Sequence, residues 1–188
     1  MHLPRRLSSL CCLFSIGTLG LVRATPPDFG PNVFIFDPTM PQGEIQAQVN
    51  AIANQQISNQ FGPQRYALLF MPGTYGTATN PLNFQVGYYT AVAGLGLSPN
   101  DVVINGSIDV YNQCAGTNNC VALTNFWRSL SNLTINVTNP TGCYHGEFWA
   151  VSQAAPMRRV HIIGPVTLMD YCTPPIVRQR RLHRRFGV

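Results

Sequence analysis

The chain has no lysine; all twelve of its basic residues are arginine. P-loop phosphate binding needs a lysine on the phosphates, so it is excluded, and the short "GLG" at 94–96 does not extend to G-x-G-x-x-G. No G-x-S-x-G occurs, which removes the nucleophile elbow. No C-x2-C pair occurs and the histidines are scattered, which argues against structural zinc. Acids are scarce too. The seven carboxylates are spread along the chain, whereas calcium needs them clustered. No cofactor and no metal are expected.

The formal charge of +5 belongs to the two ends. Arg5, Arg6 and Arg23 lie at the start, and Arg178, Arg180, Arg181, Arg184 and Arg185 crowd the last thirteen residues. Residues 25–175 hold only Arg65, Arg128, Arg158 and Arg159 against seven acids, a net of −3. Nucleic acid is therefore not an expected partner: the basic tail has only Phe186 to stack on a base. Composition changes abruptly after Pro175. Residues 176–188 are read as an Arg-rich aberrant or disordered tail, a frame that has departed from its ancestor rather than a selected basic arm.

Residues 1–24 read as a secretory signal: a basic head, an uncharged apolar run from Leu7 to Val22, and small residues before a cut after about Ala24. A membrane anchor is the rival, but the run is shorter than the roughly 20 residues a span needs. The expected product is secreted, extracellular and monomeric, with no membrane contact once the signal is cleaved. Four cysteines remain: Cys114, Cys120, Cys143 and Cys172. They allow three pairings. The turn-rich "AGTNN" between the first two favours Cys114–Cys120, leaving Cys143–Cys172. Asn105, Asn132 and Asn136 head N-x-[ST] sequons, which fit a secretory route and would be glycosylation sites.

In the body, a helix is expected over about 41–56. Thr39 and Gln42 have capping-box spacing, and Ile45, Val49 and Ile52 make one apolar stripe. After Gly62-Pro63 only short β-prone runs follow: "RYALLF", "YYTAVAG", "DVVING", "SIDVY", "VALTNF", "NLTINV", "FWAVSQ", "RRVHIIG" and "VTLMD". Valine and isoleucine clusters recur about every 30 residues, within the range of stacked coils. An all-β solenoid is expected over 25–175, with a β-sandwich as the alternative.

The order of capped helix, apolar strand and Pro-Gly-Thr-Tyr in "ALLFMPGTYG" resembles the entry of secreted right-handed parallel β-helix proteins of the pectin-lyase-like superfamily. That group includes pectate lyases, polygalacturonases and several glucanases. "SNQFGPQRYALLFMPGTYG", "YTAVAGLGLSPNDVVING", "NFWRSLSNLTI" and "WAVSQAAPMRRVHIIG" resemble, more narrowly, a family of large secreted actinobacterial and fungal proteins. The resemblance covers about residues 31–175. It implies a single-stranded right-handed parallel β-helix with an N-terminal cap helix, and an extracellular polysaccharide as partner. Members run to several hundred residues, so this chain is expected to be the N-terminal portion, ending after a few coils and lacking a complete active site.

Glycoside hydrolysis needs two carboxyl groups flanking the bond. Outside the cap the acids are Asp101, Asp109, Glu147 and Asp170. Asp101 follows Pro99-Asn100 and reads as a turn former. Asp109 lies in the alternating "SIDVY" and could face a groove or solvent. Glu147 sits between His145 and Trp149, where an imidazole and a sugar-stacking ring would stand beside an acid. Asp170 ends a strand. For a lyase, Arg158 is the basic candidate; alternation would turn one of Arg158 and Arg159 inward. Arg128, after Phe126-Trp127, is a further substrate-binding candidate. His161 reads as an outward strand residue, and Arg65 as an anchor to an acid on the cap. Three readings stand: a hydrolase or lyase acting on an extracellular glycan, a non-catalytic glycan-binding or surface protein on the same scaffold, and an inactive shortened product. Few coils and an exposed apolar end predict marginal stability or aggregation.

Overall fold

Parallel pairing in register brings each strand back to the same place one turn later. The computed structural model describes residues 28–114, 120–138 and 146–170. The elements begin β1 (Val33–Phe36), α1 (Gln42–Gln56), β2 (Tyr66–Phe70), β3 (Gly73–Tyr75) and β4 (Leu82–Gln85). They continue with β5 (Thr90–Gly94), β6 (Val102–Asp109), β7 (Gln113–Cys114), β8 (Cys120–Val121) and β9 (Ser129–Asn136). The last are β10 (Glu147–Phe148), β11 (Met157–Ile163) and β12 (Val166–Thr167). The strands β1, β2, β5, β9 and β11 stack in that order, all parallel. A second face stacks β3, the first half of β6, and the second halves of β9 and β11. A third sets β4 on the second half of β6, with β10 and β12 beyond it. The result is a parallel β-solenoid of about three turns, not a sandwich.

Inward side chains form rows along the axis. Leu68, Val92, Leu130 and Met157 share one register position, and Tyr75, Ile104, Ile135 and Ile162 share another. Phe36 faces Phe70, with ring centroids 4.8 Å apart, and Phe70 meets the edge of Tyr75 at 5.0 Å. The Tyr75 hydroxyl donates to the Phe36 or Met71 carbonyl, so the PGTY corner is locked to the first strand. Burial of that phenol and the nearby Asp37 charge raise its pKa far above the ordinary value. Gly73 sits at φ 150°, and a Cβ there would lie 2.6 Å from the Pro38 ring, so the corner requires glycine.

Helix α1 lays Ile45, Val49 and Ile52 on the first turn, with Gln46 reaching the backbone of Asn83 and Gln56 reaching the Tyr88 carbonyl. The expected capping box does not form. Pro41 is the N-cap without a side-chain cap bond; the Thr39 hydroxyl donates to Asp37, and Gln42 instead accepts from the Gly76 amide. On the last described turn Ile163, Val166, Leu168 and Met169 are exposed.

Two expected strands, "DVVING" and "SIDVY", are the single strand β6, kinked at Gly106 with φ 152°. The β4 residues "LNFQ" were not expected to form a strand. Their alternation puts Leu82 and Phe84 in the core and Asn83 outside. Cys114 and Cys120 are joined by a disulfide across the antiparallel β7–β8 pair, as expected. Cys143 and Cys172 lie outside the described residues, as do the signal segment and the basic tail.

Candidate functional site

The solenoid brings two of the expected acids together. Asp109 ends β6 and Glu147 begins β10 one turn later, and each caps the other's strand backbone. Glu147 accepts from the Ile108 amide at 2.9 Å, and Asp109 accepts from the Phe148 amide at 2.8 Å. Asp109 also receives the hydroxyls of Ser107 (2.6 Å) and Tyr111 (2.8 Å). Neither acid reaches solvent: Asp109 is 4% exposed and Glu147 0%. Burial raises both pKa values, and the Asp109 charge raises Glu147 further, well above the ordinary carboxyl range. With three donors on Asp109 and no described partner for Glu147 Oε1, the surroundings favour the charged form on Asp109 more than on Glu147. A split pair of this kind can do acid–base chemistry only where a substrate can reach it. Among the described residues it is sealed in the wall.

The remaining expected site residues mostly serve the scaffold. Trp149 is 2% exposed and gives its indole N–H to the Ala155 carbonyl, so its faces pack in the core. Arg128 is 3% exposed, donates to the Val86 carbonyl at 2.6 Å and lies over the Tyr88 ring. Desolvation lowers its pKa to about 10. Asp170 accepts from the Asn112 amide at 3.0 Å, clamping the last described turn. Asp101 closes a short 3-10 turn with Ser98, as a turn former should. Arg158 and Arg159 are both exposed, because Arg159 at φ 53° breaks the alternation that would have turned one inward. His161 is exposed on β11. His145 lies outside the described residues. Arg65 is held by the Gly62 and Gln64 carbonyls and the Tyr89 ring rather than by an acid on the cap. Among the described residues no three of His, Cys, Asp and Glu gather to hold a metal.

The sequon asparagines stand at the corners. Asn136 donates to Asn105, and Asn105 donates to the Gly76 carbonyl, a ladder running down the solenoid. Asn132, at φ 54°, gives its amide nitrogen to both the Gly94 and Gly96 carbonyls. An N-linked sugar on Asn132 would remove one of those donors.

One accessible feature was not singled out from the sequence. Tyr89 and Trp127 hold φ 55° and 58°, a region costly for bulky residues. Their rings stack at 5.1 Å and 16°, and the Arg65 guanidinium lies 3.3 Å from the Tyr89 ring centre. Trp127 is 41% exposed. A shallow cleft of about 190 Å³ opens beside it, lined by Tyr89, Trp127, Arg128, Ser129, Ala154 and Pro156. The sequence signal was the aromatic pair before β5 and again before β9, Tyr88-Tyr89 and then Phe126-Trp127.

No family model matches the chain. It is similar to an exo-beta-1,3-glucanase of Streptomyces sp. (strain SirexAA-E / ActE). The two are 49% identical over 141 residues, covering 75% of this chain and 21% of the relative. Among solved structures, sacteLam55A from Streptomyces sp. SirexAA-E aligns with a TM-score of 0.67 at 45% identity, over 78% of this chain and 24% of that chain. A variant of that protein in complex with glucose aligns with a TM-score of 0.64 at 46% identity, over 77% of this chain and 24% of that one. The chain spans about a fifth of the length of the curated relative it matches.

Proposed function

We infer that this chain serves the breakdown of extracellular β-1,3-glucan, as the helix-capped solenoid of a glycoside hydrolase scaffold. The observation that carries this reading is 49% identity over 141 residues to an exo-beta-1,3-glucanase, on a solenoid that aligns with a solved relative at 45% identity. Of the two enzyme chemistries expected from the sequence, this favours the hydrolase over the lyase. A neutral glucan offers no carboxylate for Arg158 to neutralise.

Within the chain the described residues contribute wall and surface. Hydrolysis needs an accessible carboxyl pair, and Asp109 and Glu147 are shut away from any glycosidic bond. Secretion through cleavage after about Ala24 belongs to the same reading. Among the described residues no helix is long and apolar enough to cross a membrane.

The test is to mix the secreted protein with insoluble β-1,3-glucan, measuring both retention and released sugar. Retention without sugar release is the expected result. Release of glucose that disappears in Glu147→Gln would make the buried pair catalytic, and absence of retention would overturn the glucan reading.

A further inference from the structure

Arg65, Tyr89, Trp127 and Ala154 occupy one register position, just before β2, β5, β9 and β11. The three later members share one backbone conformation, with φ of 55°, 58° and 53°. A guanidinium, a phenol ring and an indole therefore pile up along the outside of the solenoid, each lying on the next. At the fourth rung Ala154 supplies no ring, and the stack ends on an indole that is 41% exposed.

We propose that Trp127 is a sugar-stacking platform, on which a β-linked glucan chain lies along this corner of the solenoid. Several independent features favour a pyranose ring as the occupant. Tyr89 and Phe126 brace the indole, at 5.1 Å stacked and 4.6 Å edge-on, so little rotamer freedom is lost when a ligand lands. The axial C–H face of a β-glucose unit is apolar and matches the negative face of an indole. The adjoining cleft is lined by Ser129, Ala154 and Pro156, so a hydroxyl-bearing residue stands among small apolar ones beside the indole. The backbone points the same way. A glycine or asparagine would hold this left-handed corner at lower cost, yet Tyr and Trp are placed there, and strain of this kind collects at functional sites. The platform rests on the ring geometry; the choice of a β-1,3-linked chain rests on the glucan reading above.

The test uses the chain's two tryptophans, of which Trp149 is buried and Trp127 open to a quencher. Acrylamide quenching of the full-length protein is followed while soluble β-1,3-glucan, β-1,4-gluco-oligosaccharide or α-1,4-glucan is titrated in. Retardation in gels containing each glucan is measured in parallel for wild type, Trp127→Ala and Trp127→Phe. The expected result is protection of Trp127 by β-1,3-glucan. Retardation should weaken about tenfold or more in Trp127→Ala and be largely kept in Trp127→Phe. If β-1,3-glucan retards wild type and Trp127→Ala equally, the platform falls while the glucan reading stands. If only β-1,4-glucan acts, and through Trp127, the platform stands and the β-1,3 reading falls. If no glucan protects Trp127, the platform is overturned.

Discussion

Two aromatic–polar clusters of the solenoid met opposite fates. At β10 and the residue after it, Glu147 and Trp149 have the composition of a sugar-cleaving site, and the fold buries both, with Asp109, in its wall. At the corner before β9, Trp127 carried no expectation from the sequence, and the fold leaves it 41% exposed on Tyr89. The difference lies in the backbone. Glu147 points inward from a stacked strand and is enclosed by the coil, whereas the left-handed backbone at Trp127 leaves its ring on the outer stack. In a solenoid, accessible chemistry is set by position within the coil before it is set by residue type.

The comparison can be broken most forcefully at the two tryptophans. Trp149→Ala should cost about 4 kcal/mol, the usual range for a buried ring, read as a lower denaturation midpoint. Asp109→Ala should cost about 3 kcal/mol, since the Phe148 amide and the Ser107 and Tyr111 hydroxyls would lose their acceptor. Asn132→Ala removes two bonds to the corner and places alanine at φ 54°, with an expected loss of about 2 kcal/mol. Asn132→Gly should lose less, because glycine accepts that φ. An equal loss in the two variants would mean that the backbone angle is unimportant there.

The buried pair sharpens the comparison through pH. The folded pKa of Glu147 is raised above its unfolded value, so the folded state binds the proton more tightly. Its stabilising contribution is full below the unfolded value and is lost as pH rises through the folded one. Asp109, also raised, acts in the same direction. Wild type should therefore lose stability from about pH 4.5 upward relative to Glu147→Gln, measured as the difference in Tm between the two proteins at each pH. Parallel Tm profiles would mean that Glu147 does not hold a proton in the wall. The smallest effect belongs to Trp127→Ala, which should cost about 1.5 kcal/mol, the size of its ring contacts with Tyr89 and Phe126.

Much of the architecture was legible. Recurrent Val/Ile clusters marked the stacked turns, and the Ile45, Val49 and Ile52 stripe placed α1 within a residue. The strand β4 was hidden because four residues after a proline carry too little alternation to stand out. Asn105-Gly106 read as a break, whereas the glycine only bends β6. The site was less legible. Asp109 and Glu147 are far apart in sequence and become neighbours only through the register of β6 with β10, which no local pattern encodes. The sequons at Asn105 and Asn136 gave no sign that the two amides form a corner ladder along the axis. The stacking of Tyr89 on Trp127 likewise needs the β5–β9 register to be known.

The most direct test is a titration of soluble β-1,3-glucan against wild type, Trp127→Ala and Glu147→Gln side by side. The predicted result is about tenfold weaker binding in Trp127→Ala and unchanged binding in Glu147→Gln. Weaker binding in Glu147→Gln with Trp127→Ala unaffected would place the glucan at the carboxylate wall and contradict the account.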